Sequence, residues 1–233
     1  MVRDGIAAAF VVIVLSVVPL LPIAVFVAAV RRGEGARTAG WKSVFTALAL
    51  VAWMALSSRL ALSGFLLDFG GKPPRFSRLV GGILLGTVLL GSSPFARRLA
   101  RALPMAALVG FQLFRLPVEL VLNALHHQGR VPIQMTFEGW NFDILTGLSA
   151  PLVAALAHQR RLPRAVLALW NFGAFLLLAT IVTLANLSSP ALNLFPEPPT
   201  ATLATAPFIW LPVVLVPAAL LGHLLVLRKL LQR

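Results

Sequence analysis

Seven long apolar stretches, joined by short polar connections, take up most of the chain: residues 5–30, 43–67, 79–95, 102–127, 142–158, 165–187 and 208–227. A helix needs about 20 predominantly apolar residues to cross a hydrocarbon core roughly 30 Å thick. The stretches are continuously apolar rather than alternating, which excludes a β-barrel. With 59% hydrophobic and only 12% charged residues, the composition lies outside the range of soluble domains. The sequence therefore predicts an all-α, polytopic transmembrane bundle of seven helices. It forms one integral membrane domain over residues 1–233.

The first stretch could be read as a secretory signal, but its 26 apolar residues far exceed the roughly 7–15 of a signal core. Arg31 and Arg32 follow it as a stop-transfer flank, and Pro19 and Pro22 are expected to bend it. In the third stretch, Gly82 and Gly86 have a spacing suited to close helix packing.

Charge sets the expected orientation. Arg31, Arg32, Arg37, Lys42, Arg97, Arg98, Arg101, Arg160, Arg161, Arg164, Arg228, Lys229 and Arg233 all fall on one side of a seven-helix arrangement. Arg3, Lys72, Arg75, Arg78 and Arg130 fall on the other. The positive-inside rule puts the richer side in the cytoplasm, so the N-terminus is expected outside and the C-terminus inside. The expected location is a bacterial cytoplasmic membrane. The net charge of +13 is then a property of the loops, and nucleic acid is excluded as a partner. Cysteine is absent, which removes disulfides, thiolate metal sites and thiol catalysis.

Within the fourth stretch, Gln112, Arg115, Glu119, Asn123 and His126 share one helical face, and His127 widens it. Ionisable residues at membrane depth cost about 2.5–3.5 kcal/mol even on lenient scales, so they turn toward a bundle interior or a watery cavity. Arg115 and Glu119, four residues apart, are placed to neutralise each other. Pro117 between them is expected to open a local gap. The competing reading is a purely structural ion pair.

Counting residues along the helices puts Arg59, in the second stretch, at the depth of Glu119. The sequence thus suggests an outward-opening pocket with Arg59 and Arg115 below, Glu119 and Asn123 on the wall, and Glu138 and Asp143 at the lip. Two arginines against one intramembrane carboxylate favour a small anionic guest, which a guanidinium grips with its paired donors. The run Val131–Asp143 is too polar to span and too apolar for a plain loop. It is expected either to anchor at the interface through Trp140 or to dip back as a lid hinged at Gly139 and lined with Gln134, Thr136, Glu138 and Asn141. The segment Ser188–Pro207, with Pro190, Pro196, Pro198, Pro199 and Pro207, is expected to lie as an extended strap.

No metal site and no cofactor is expected. Glu119, Asn123 and His127 have ligand-like spacing, but a catalytic zinc takes three protein ligands of a stronger set. His158 and His223 are expected near the cytoplasmic helix ends, away from His126 and His127. Three classes of function remain: transport or sensing of an anionic ligand, an enzyme acting on lipid or polyprenyl-phosphate headgroups, and a non-catalytic subunit of a membrane complex. The corresponding partners are membrane lipids, a small anion, and other membrane proteins or a second copy.

Overall fold

The computed structural model describes residues 2–192, 194–195 and 200–232. It is all-helical, with no strand among the described residues. Helices α1 (Val2–Val17) and α2 (Leu20–Val30) form the first apolar rod. They are separated at Val18–Pro19, where Pro19 and Pro22 cannot donate to the preceding turn. α3 (Ala36–Leu62) returns antiparallel to α2 and ends ahead of Gly64, which takes a left-handed conformation (φ 71°). α4 (Arg75–Ser92) and the short basic α5 (Pro94–Ala102) follow, with Ser93 between them capping α5 through its side chain.

The next rod is not uniform. α6 (Met105–Gly110) tightens into a 3₁₀ turn over Phe111–Phe114 before α7 (Arg115–His127) resumes. Pro117 explains the tightening, because it lacks the N–H that would reach back to Leu113 and its ring crowds that carbonyl. α8 (Ile144–His158) and α9 (Arg164–Leu187) follow. The last rod opens with a π turn over Leu211–Leu215 and continues as α10 (Val216–Leu231). Pro217 leaves the carbonyl of Val213 without its helical donor, and the Trp53 indole donates to that oxygen at 2.9 Å. In return the Trp210 indole donates to the Met54 carbonyl at 3.2 Å, so two tryptophans stitch α3 to the start of the last rod.

Six of these rods are long and apolar enough to cross a membrane: Gly5–Val30, Ala36–Leu62, Arg75–Ser92, Met105–His127, Arg164–Leu187 and Leu211–Leu231. The seventh expected span is the 15-residue α8, about 22 Å long at the usual helical rise. The expected bounds of 43–67 and 79–95 also shift: α3 begins seven residues earlier, at Ala36, and α4 begins at Arg75. The polar residues that separate these rods in the sequence are thus partly helical themselves.

The last rod is the pillar of the bundle, with 67% of its most apolar window buried against 17% for Ala36–Leu62. Two apolar cores stack along it. One joins Phe10, Val14, Val118, Leu122, Leu178 and Leu215. The other joins Ala28, Leu99, Val109, Leu167, Leu221 and Val226. Between them, along α7, α9 and α10, lies a polar layer. Gly82 and Gly86 face open space and make no close helix contact. The tight approaches are made elsewhere: at Gly147 a Cβ would stand 2.5 Å from the Leu116 nitrogen.

Basic helix ends meet at one end of the bundle. An Arg31 N–H donates to the Ala102 carbonyl at 2.7 Å, Lys229 to Ala100 at 2.9 Å, and Arg164 to Leu230 at 3.0 Å. At the opposite end, residues 128–143 fold back toward the interior, which is why α8 starts partway along the bundle. In the connection after α9, the expected strap bends into a turn at Ser189–Ala191 and a 3₁₀ turn at Thr200–Ala204. Thr202 donates to the Arg130 carbonyl at 3.0 Å there. Pro196, Glu197, Pro198 and Pro199 lie outside the described residues, as do Met1, Asn193 and Arg233.

Gly139, the expected hinge, is closely packed in the fold-back. A Cβ there would stand 2.2 Å from the Ile133 carbonyl oxygen, so the fold-back needs a glycine for close backbone approach. Gly139→Ala is expected to lower stability by about 1–3 kcal/mol, read as a reduced thermal midpoint in detergent. Gly82→Ala, with nothing within 4 Å, is the control and should melt at or above the unaltered protein. Equal midpoints for both variants would contradict this packing.

Candidate functional site

Arg115 is the centre of the polar layer and is only 2% exposed. It lies ten residues into the rod that starts at Met105, about 15 Å along the axis. A guanidinium has five N–H donors and accepts nothing. Nε donates to Asp143 Oδ2 at 2.6 Å, and Nη2 pairs with Asp143 Oδ1. Nη1 and Nη2 donate to the Ala174 carbonyl at 3.2 and 3.3 Å, and Nη1 reaches His223 Nε2 at 2.9 Å. All five donors are therefore spent inside the protein.

The arginine also fixes the histidine tautomer. Because Arg115 can only donate, His223 Nε2 must accept, which puts the ring proton on Nδ1. Nδ1 then donates to Asn171 Oδ1 at 2.9 Å, while Asn171 Nδ2 donates to the His223 carbonyl at 3.3 Å. α7, α8, α9 and α10 are thus joined through one chain of hydrogen bonds. Gln112, fully buried one turn before Arg115, donates to the Ala219 carbonyl at 3.1 Å. Gly222 makes room for it, since a Cβ there would lie 2.6 Å from Gln112 Nε2.

Toward the opposite end, Glu119 is 2% exposed and accepts from Asn141 Nδ2 at 2.6 Å. The same amide donates to the Met135 carbonyl at 3.0 Å, and Asn141 Oδ1 accepts the Asp143 N–H at 3.1 Å. Asn141 therefore ties the fold-back to α7 and aims Asp143 at Arg115. Further out, Asn123 Nδ2 donates to Glu138 Oε1 at 2.9 Å, with His127 Nε2 3.6 Å from the same oxygen. The hydrogen bond from Asn123 holds the exposed Glu138 carboxyl below the ordinary carboxylate range.

A narrow cavity of about 60 Å³ opens beside Glu119. Its walls are almost wholly apolar, among them Phe76 and Val80 of α4, Leu122 of α7, Ile181 of α9 and Leu215 of the last rod. Arg115, Glu119, Asp143 and Asn186 are its polar lining residues, and Asn186 donates its amide to the Val182 carbonyl at 2.8 Å.

Of the nine residues singled out in the sequence, Gln112, Arg115, Glu119, Asn141 and Asp143 come together in the buried layer. Asn123, His127 and Glu138 form a separate outer cluster. Arg59 joins neither. It is exposed on α3 and does not line the cavity; α3 packs chiefly on α2 and is tied to the start of the last rod by the Trp53 and Trp210 hydrogen bonds. Three further expectations are corrected. Arg115 takes Asp143, not Glu119, as its direct ionic partner. Asp143 is not at a lip but 4% exposed within the bundle. His223 is not at a helix end, since α10 continues to Leu231 and leaves it about 12 Å inside.

The charge count behind an anionic guest changes accordingly. The buried layer holds one arginine and two carboxyl groups. Asn171 and His223 are the members that sequence reasoning did not place. Their isolated polarity within apolar stretches was the available signal. No group of three or more histidine, aspartate or glutamate side chains arranged to hold a metal occurs among the described residues.

A family model described as a domain of unknown function (DUF8737) matches residues 75–231, 157 of the 233 residues. The chain belongs to that family. No curated protein and no solved structure matches it. The matched region runs from the start of α4 to the end of α10, so it contains the whole buried layer, while Arg59 lies outside it.

Removing one partner of a buried ion pair costs about 3–5 kcal/mol, whereas replacing both with apolar groups costs much less. Arg115→Leu and Asp143→Leu are each expected to lower the thermal midpoint sharply. The double variant should be more stable than the sum of the two losses allows. Strictly additive losses would show that the pair is not coupled.

Proposed function

With family membership as the frame, we propose that this is a multi-pass membrane protein that takes one small amphiphile into the cavity beside Glu119. It acts as a carrier or sensor of that molecule. The observation that carries this reading is the division of labour between the two charges. Arg115 has no donor left to offer a guest. Glu119 has one oxygen engaged by Asn141, and its second oxygen has no hydrogen-bond partner among the described residues. A carboxyl at the end of an apolar slot suits a guest with an apolar body and a hydrogen-bond-donating end, such as a hydroxyl or an amine. The small volume favours a thin chain over a fused ring system.

This replaces the anionic guest suggested by the sequence. The enzymatic alternative, chemistry on lipid or polyprenyl-phosphate headgroups, needs arginines free to clamp phosphate. Arg59 does not line the cavity and Arg115 is fully engaged, so that reading lacks its clamps.

The proposed topology keeps seven crossings, counting the short α8, with the N-terminus outside and the basic end in the cytoplasm. Two features support it: the meeting of the four basic helix ends, and the fold-back of residues 128–143, which shortens the distance α8 has to cover. The proposed setting is a bacterial cytoplasmic membrane, with its lipids as immediate partners.

Because the chain has no cysteine, single substitutions report topology directly. An impermeant maleimide applied to intact cells should label Ile133→Cys and leave Arg161→Cys unlabelled until the membrane is opened. The reverse pattern would invert the proposed orientation. For the cavity, Leu178→Trp should fill the slot and remove any amphiphile that copurifies with the unaltered protein, measured by mass spectrometry of lipid extracts. Glu119→Leu should weaken retention by about threefold to tenfold, the loss of one buried hydrogen bond. Unchanged amphiphile content in a folded Leu178→Trp protein would refute the assignment.

A further inference from the structure

A second concavity lies at the basic end of the bundle, between α2, α3 and α5, and shares no residue with the Glu119 cavity. It measures about 410 Å³, within the range of roughly 300–1,000 Å³ typical of small-molecule sites. Its floor is apolar, formed by Val25, Ala28, Phe45, Phe95 and Leu99. Arg32, Lys42 and Arg98 line it as well, and none of its lining residues is acidic.

The balance of charge at this rim is positive. Glu34 pairs with both Arg32 and Lys42, so one carboxylate faces three cations. Arg98 makes no hydrogen bond or ion pair among the described residues, and its side chain is exposed. Among the described residues nothing further completes this rim, while other cations at the same end, Arg31 and Lys229, are spent on the carbonyls of Ala102 and Ala100.

The floor continues onto the outer face of α3, where Phe45, Leu48 and Val51 are 75%, 62% and 60% exposed. Trp41, also lining the concavity, is 66% exposed where the apolar face meets the basic end. Tryptophan at such a boundary sits at headgroup level. Charge above and apolar surface below therefore match one kind of molecule, with a negatively charged head and aliphatic chains that leave sideways into the bilayer.

We propose that the cleft between α2, α3 and α5 binds an anionic glycerophospholipid. The phosphate sits among Arg98, Lys42 and Arg32, and an acyl chain lies along Phe45, Leu48 and Val51. The proposal rests on the membrane-spanning reading but not on the Glu119 cavity, and the two fail separately. The match to the family begins at residue 75, so the α5 half of the cleft lies inside the shared region and the α2–α3 half outside it.

The test is native mass spectrometry of the full chain in detergent, with phosphatidylglycerol or phosphatidylcholine of identical acyl chains. Phosphatidylglycerol adducts should survive activation that strips phosphatidylcholine. The double variant Arg98→Gln/Lys42→Gln should lower their retention about tenfold or more, as expected for two cations near a phosphate. Arg98→Lys, which keeps the charge, should retain most of the binding and shows that the rim tolerates substitution. Arg160→Gln/Arg161→Gln removes the same charge at the same end and should leave retention unchanged. Equal retention of the two lipids would overturn the proposal, and so would equal losses from the two double variants. Inorganic phosphate raising the thermal midpoint as much as phosphatidylglycerol would assign the cleft to a free anion and also overturn it. Filling the Glu119 cavity with Leu178→Trp should not alter any of these results.

Discussion

A guanidinium in the middle of an apolar bundle must have every donor satisfied, because water is not there to do it and an unpaired charge in low dielectric is prohibitive. Arg115 meets that demand with partners from three different elements: Asp143, the carbonyl of Ala174 and the ring of His223. Much of the architecture follows from it. Asp143 can reach Arg115 only if the chain after α7 turns inward, so residues 128–143 fold back and α8 begins deep in the bundle. His223 and Ala174 can reach it only if α9 and α10 present a polar notch at the same level. The two apolar cores lie on either side of this layer and set its depth.

The same constraint limits what the site can do. An arginine with a free fork would attract carboxylates and phosphates, but this one is enclosed by its own chain. Its role is to hold Asp143, and through Asn141 to set the position of Glu119. Asn141 is the pivot, since its amide serves Glu119 and the Met135 carbonyl while its oxygen takes the Asp143 N–H. Glu119 is thus left beside the apolar slot, with one oxygen held by Asn141. The free cations lie at the other end of the molecule, where Arg98 is exposed and has no partner among the described residues.

The helical class and the polar face of α7 were legible because both are local. Gln112, Arg115 and Glu119 recur at helical spacing among Leu, Val and Phe, and Asn141 and Asp143 stand out in an otherwise aromatic connection. What could not be read locally was adjacency. Arg59 and Glu119 have similar depth by residue count, but depth does not determine which helices touch, and α3 lies across from the last rod. His223 was misplaced because the helix continues through Arg228 and Lys229, whose long side chains reach out to carbonyls while their backbone stays helical. Asn171 was visible as a lone polar residue, yet its meaning depends on a histidine 52 residues away.

The irregular backbone adds a further regularity. Besides the break at Val18–Pro19, the chain departs from α geometry at the 3₁₀ turn before Arg115, the fold-back of residues 128–143, and the π turn at Leu211–Leu215. The last three share a neighbourhood. Each contributes to the Glu119 cavity, through Phe114, through Met135 and Asp143, and through Leu211, Pro212 and Leu215. Broken helices are tolerated at membrane depth only where protein groups or a lined cavity satisfy the freed backbone. Here Trp53 takes the carbonyl that Pro217 frees, which lets the last rod widen beside the slot without an orphaned acceptor. These three breaks meet at the cavity beside Glu119.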